Sequence, residues 1–124
     1  MTVQIVEISG QKMAILPVAD YDRLIDIAEE KADAMAALAA EQRRQDGEEY
    51  LPSEMVDRLL AGENALKVWR EYRGLSQTEL GTAAGTGKMT ISSIERGRSA
   101  GSAHVWRAIA NELRVSIDDI MQGS

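Results

Sequence analysis

A chain of 124 residues can form one domain or two small ones, and 44% hydrophobic content is ordinary for a globular fold. Phe and Cys are absent, which leaves Leu, Ile, Val, Met and Ala to build a core around Trp69 and Trp106. The lack of Cys excludes disulfides, thiolate metal sites and cysteine nucleophiles. The net charge of −6 is unevenly spread: residues 1–62 carry six basic against thirteen acidic side chains, net −7, while residues 63–124 carry eight against seven, net +1. A near-neutral half can still present a positive face, so the acidic total does not exclude nucleic acid as its partner. No apolar run approaches the roughly 18 residues of a membrane helix, and no basic-then-apolar leader opens the chain. The chain reads as a soluble cytoplasmic protein.

Val3 to Ile8 alternates loosely, Ser9-Gly10-Gln11 is a turn, and Lys12 to Leu16 is apolar again, which predicts a β-hairpin closed by Pro17. Asp20 is placed to cap a helix in which Tyr21, Leu24, Ile25, Ala28, Ala32, Met35 and Ala39 recur at spacings of three and four, out to about Arg44. Asp22, Asp26, Glu29, Glu30 and Asp33 make its other face acidic. A hairpin and one amphipathic helix are too small to bury their own apolar face in water. Tyr21, Leu24, Ile25, Ala28, Ala32 and Met35 therefore form a candidate face for a second copy or another partner. The same segment also reads as a ββα cap packed on the chain's own second half.

Asp46 to Tyr50 breaks the helical pattern, and Pro52-Ser53 starts a short helix ending at Gly62. This divides the chain into a hairpin-and-helix segment at 1–45, a linker with a short helix at 46–62, and a domain at 63–124. In the last, Asn64 caps a helix carrying Leu66, Val68, Trp69 and Tyr72 that stops at Gly74. Ser76 and Glu79 make a capping box for a helix whose Leu80, Ala83 and Ala84 face inward, and Gly85 turns the chain. A further helix opens near Gly87, points Ile91 and Ile94 inward and stops at Gly97. Steps of 100° then place Lys88, Met89, Ser92, Ser93 and Arg96 on its outer side. Ser102 opens a helix with Val105, Trp106, Ile109, Ala110 and Leu113, and Val115 to Met121 forms a short closing turn or helix.

The run from Ser76 to Arg98 has the helix-turn-helix layout, and its small, polar, basic outer face suits a DNA major groove. Arg70, Gly74 to Gln77, Leu80, Gly85, Ile91, Ile94 to Gly97 and Arg98 reproduce the pattern R-x-x-x-G-L-S-Q-x-x-L, turn glycine, I-x-x-I-E-x-G-R. Residues of about 64 to 121 thus resemble the phage-repressor-like helix-turn-helix domain of the Xre family. The resemblance implies a mainly α fold: a five-helix lambda-repressor-like domain, preceded here by a small β-hairpin and a long helix for dimerisation. It also implies that Lys88, Met89 and Ser93 touch base edges, with Thr90 beside them, and that Gln77, Arg96 and Arg98 reach the DNA backbone. Arg70 and Glu95 stand where family members form a partly buried ion pair. Two positions depart from the family. Gly81 replaces the usual alanine, at about 1 kcal/mol of helix propensity, and Gly87 replaces a Ser or Thr cap.

From Val6 to Leu24 the chain also resembles the start of prevent-host-death (Phd/YefM-like) antitoxins, through V-x-I-x-G-x-x-x-A-I-L-P-x-x-x-Y-x-x-L. Together the two resemblances imply a bacterial antitoxin that represses its own operon. They imply a homodimer on an inverted-repeat operator of double-stranded DNA and a RelE/ParE-like toxin as partner. The alternatives are a stand-alone Xre-family regulator, its first half serving only to dimerise, and a protein-binding module that no longer holds DNA.

Enzymatic readings find no support. His104 is the only histidine, the carboxylates of 20–33 line one helix face without an apolar pocket, and no metal-ligand spacing occurs. The Gly87-Lys88 pair invites comparison with a phosphate loop, but Gly81 precedes Gly87 by one residue too many. Neither a catalytic site, a metal nor a cofactor is expected.

Overall fold

The computed structural model describes residues 3–47 and 51–121, so part of the expected linker, residues 48–50, lies outside the described residues. The chain divides into two compact units, Met1–Ala32 and Asp33–Ser124. The division falls inside a helix, well before the break expected at residue 45.

In the first unit, β1 (Gln4–Ile8) pairs antiparallel with β2 (Gln11–Ile15), with Val6 opposite Met13. Ser9 and Gly10 both have positive φ, the backbone of a two-residue type I′ turn, whose twist matches that of the flanking strands. Next comes α1 (Val18–Asp46), about 43 Å long at 1.5 Å per residue. The Pro17 carbonyl accepts the amides of Asp20 and Tyr21, so the helix starts before the expected cap. Asp20 sits in the first turn instead, where its charge suits the helix dipole and pairs with Arg23. Ile5, Ile8, Met13, Ile15, Tyr21, Leu24 and Ile27 are all exposed.

The second unit begins with the later part of α1 and adds six helices: α2 (Ser53–Leu60), α3 (Ala65–Tyr72), α4 (Gln77–Ala83), α5 (Lys88–Glu95), α6 (Ala103–Leu113) and α7 (Ile117–Ile120). Helices α3 to α7 are the five of the expected domain. Their ends are set locally. The Asn64 side chain accepts the Lys67 amide, Ser76 and Glu79 close a capping box, Ser102 accepts from Val105, and Ser116 and Asp119 close a second box. Arg58 bridges Glu63 and Glu71 and so fastens α2 to α3.

The core gathers Leu66, Leu80, Ala84, Ile91, Ile94, Trp106, Ile109, Ala110, Leu113 and Ile120. Burying each Leu or Ile side chain is worth about 1.5–3 kcal/mol, and such burial supplies most of the drive to fold. The Trp106 indole donates to the Ala100 carbonyl at 2.7 Å, which satisfies its one polar atom. One expectation fails: Ala83 is exposed. The buried stripe of α4 runs Gln77, Leu80, Gly81, Ala84 at helical spacing, so a polar side chain and a glycine take the inward places.

The later part of α1 belongs to this unit through one face. Asp33 and Ala40 are buried, and Ala37 lies on the same side at spacings of four and three. A Cβ on Gly74 would meet that of Ala40 at 2.7 Å, so the corner between α3 and α4 has room only for glycine. Arg43 donates to the Tyr72 carbonyl and lies over the Tyr72 ring. Met35 and Leu38, on the other side of the helix, are exposed.

Candidate nucleic-acid interface

The turn between α4 and α5 has Gly85 at φ +74°, and Gly87 enters α5 in extended conformation as an N-cap without a side-chain bond. Thr86 Oγ1 donates to Thr90 Oγ1 at 2.8 Å and ties the turn to the first turn of the helix. Ile91 and Ile94 are buried and fix the rotation of α5 about its axis. Met89 is 76% exposed, Arg98 is exposed, and Lys88, Thr90, Ser93 and Arg96 are half-buried. The protruding side therefore combines an apolar tip, two hydroxyls and cationic groups, which is the chemistry that reads thymine methyls, base edges and phosphates.

Two residues do not stand where the sequence placed them. Ser92 is buried, because the inward arc of α5 extends from Ile94 through Ile91 to a residue small enough to fit against the bundle. Gln77 is only 2% exposed, and its Nε2 donates to Glu95 Oε1 at 3.1 Å. Its side chain serves the interior and is not on the exposed side of the motif.

Behind the protruding face lies a polar network centred on Arg70, whose side chain is fully buried. Arg70 Nε and Nη2 donate to both carboxylate oxygens of Glu95, at 2.6 and 3.0 Å, in a fork that joins α3 to the last residue of α5. Arg70 Nη1 donates to the Leu75 carbonyl at 2.8 Å and to Asp33 Oδ1 at 2.7 Å. Burial works against the charge on Arg70, but bonding to Glu95 and Asp33 outweighs it and raises the guanidinium pKa above its usual value. The Arg70–Glu95 contact lies within the expected pattern. Asp33 was read only as part of an acidic face, and nothing local in the sequence distinguishes it from its neighbours on α1.

A second basic feature, which no local motif signals, lies at the end of α3. Tyr72 and Trp69 meet edge to face, Arg73 lies against both rings, and its Nε donates to the Leu113 carbonyl. Burial and the nearby Arg114 lower the Arg73 pKa. Arg73 at Leu113 and Arg43 at Tyr72 thus each satisfy a carbonyl at a helix C-terminus.

The helix-turn-helix family model (HTH_3) matches residues 66–120. The match spans α4, the Gly85 turn and α5, and leaves residues 1–65 uncovered. No curated relative matches the chain. The match supports a DNA-binding transcriptional regulator that takes double-stranded DNA, with α4 and α5 as the two helices of the motif. Domains of this family are generally not enzymes. Among the described residues no group of carboxylates and histidines is arranged to hold a metal ion, and no helix is long and apolar enough to cross a membrane.

Proposed function

We propose that the chain is a sequence-specific repressor that serves as the antitoxin of a type II toxin–antitoxin pair and represses its own operon. The observation that carries the DNA part is the family match over α4 and α5, on which Met89 is exposed and Lys88 and Ser93 are half-exposed. Lys88 donates to guanine O6 and N7, Ser93 bonds to base edges, and Met89 packs on a thymine methyl. Thr90 lies beside them, and Arg96 and Arg98 hold the DNA backbone. Gln77 acts from behind, through Glu95.

The apolar face of α1 supports pairing. Tyr21, Leu24, Ala28 and Met35 are exposed, Ile25 and Ala32 half-exposed, and a hairpin with one helix cannot cover this apolar face itself. A second copy paired through it places two α5 helices for successive half-sites of an inverted repeat, about 34–36 Å apart. The acidic first half attracts a basic RelE/ParE-like toxin. The Phd/YefM-like pattern of Val6 to Leu24 favours this reading over a stand-alone Xre-family regulator; confinement of the family match to 66–120 favours the latter.

The test is co-expression with the product of the adjoining gene, followed by sizing and binding to the DNA upstream of the pair. A co-purifying small toxin and salt-dependent retention on that DNA support the proposal. Retention without a partner leaves the stand-alone regulator, and no retention at low salt overturns DNA binding.

A further inference from the structure

We propose that Asp33 is a positioning residue for the DNA-reading helix, so that α1 is a working part of the DNA-binding unit although it lies outside residues 66–120. The inference rests on the DNA-binding reading of α5. Asp33 uses its two oxygens separately: Oδ1 accepts from Arg70 at 2.7 Å, and Oδ2 accepts the backbone amide of Gln77 at 3.1 Å. Gln77 is the first residue of α4, so Asp33 supplies an acceptor that the start of that helix lacks within itself. Arg70 grips Glu95, and the Gln77 side chain reaches the same carboxylate. The bonds close a ring, Asp33 to Arg70 to Glu95 to Gln77 and back to Asp33, with one member from each of α1, α3, α5 and α4.

A closed ring constrains more than the same bonds in a line. Sliding or turning α5 against α4 breaks a bond at Glu95, and shifting α4 against α3 breaks one at Asp33. All four side chains are shielded from solvent, where a lost partner is not readily replaced by water. Two donors are aimed at Asp33, one at each oxygen. An asparagine there meets them with one acceptor and one further donor, so the isosteric change opposes the geometry. Ala37 and Ala40, on the same face of α1 and against Gly74, hold Asp33 at the correct depth.

The test compares the full chain with Asp33→Asn and Asp33→Ala, at a temperature where all three are fully folded. Binding is measured to a duplex from the DNA upstream of the gene and to a scrambled duplex of equal length, and the backbone amide of Ser93 is followed by NMR. Asp33→Asn is expected to weaken binding to the upstream duplex by about tenfold. It should leave the scrambled duplex and the salt slope unchanged and shift the Ser93 resonance. A lower melting temperature with both the upstream affinity and the Ser93 resonance unchanged overturns the proposal, because Asp33 is then only a stabilising contact. If the unaltered chain binds neither duplex, the DNA-binding reading has failed. The Ser93 resonance of Asp33→Asn still decides whether α1 sets the state of α5.

Discussion

The Cβ that Gly81 lacks would stand 2.5 Å from the carbonyl carbon of Gly87 and 2.6 Å from its oxygen. In the sequence these glycines are two separate losses, one of helix propensity and one of a cap. In the fold they are one contact, with α4 resting directly on the backbone that enters α5. Gly81→Ala should therefore destabilise the protein. Overpacking costs about 1–3 kcal/mol, against a propensity gain of about 1 kcal/mol. Urea denaturation checks it, and a more stable Gly81→Ala variant would contradict the contact.

Gly87→Ser should act in the opposite direction. A Cβ at Gly87 meets nothing within 4 Å, and its φ of −147° suits any residue. A serine there adds the missing cap, with an expected gain of about a few tenths of a kcal/mol. The same denaturation series reads it.

Glu95→Ala should lower stability and DNA affinity together. It strips the fork from Arg70, and removing one partner of a buried pair costs about 3–5 kcal/mol. A melting temperature equal to that of the unaltered chain would show that the remaining bonds to Asp33 and Leu75 satisfy the guanidinium alone.

Much of this was legible because helix ends and turns are decided within a few residues. The caps at Asn64, Ser76 and Ser102, the Gly85 turn and the α5 stripe of Ile91 and Ile94 follow from neighbours in sequence. What could not be read is what depends on distant partners. Asp33 meets Arg70 from 37 positions away, and Gln77 is buried only because Asp33 and Glu95 receive its donors. Gly81 looked costly because the backbone it admits begins six positions later, across a turn.

Base readout and backbone contact should separate by variant. Lys88→Ala and Ser93→Ala should change sequence preference at particular operator positions, while Arg98→Ala should weaken all sequences alike and reduce the salt slope by about one. Binding across a panel of single-base operator variants at two salt concentrations distinguishes them. Lys88→Ala with unaltered affinity and preference removes Lys88 from the readout.

The exposed face of α1 should govern self-association. Leu24 is 46% exposed, so Leu24→Glu is tolerated by a single chain but places a charge in a paired face. Sedimentation should show a dimer becoming a monomer with its helical content retained. An unchanged dimer would place the pairing surface elsewhere.

The ring through Asp33 also bears on where this protein can be cut. A peptide trimmed to residues 66–120 retains every landmark by which the motif is recognised, yet it loses one of the two counter-ions of a guanidinium sealed from water. The portion that can be recognised is thus smaller than the portion that completes the buried ion network, and the missing share comes from a helix whose other end belongs to a different compact unit.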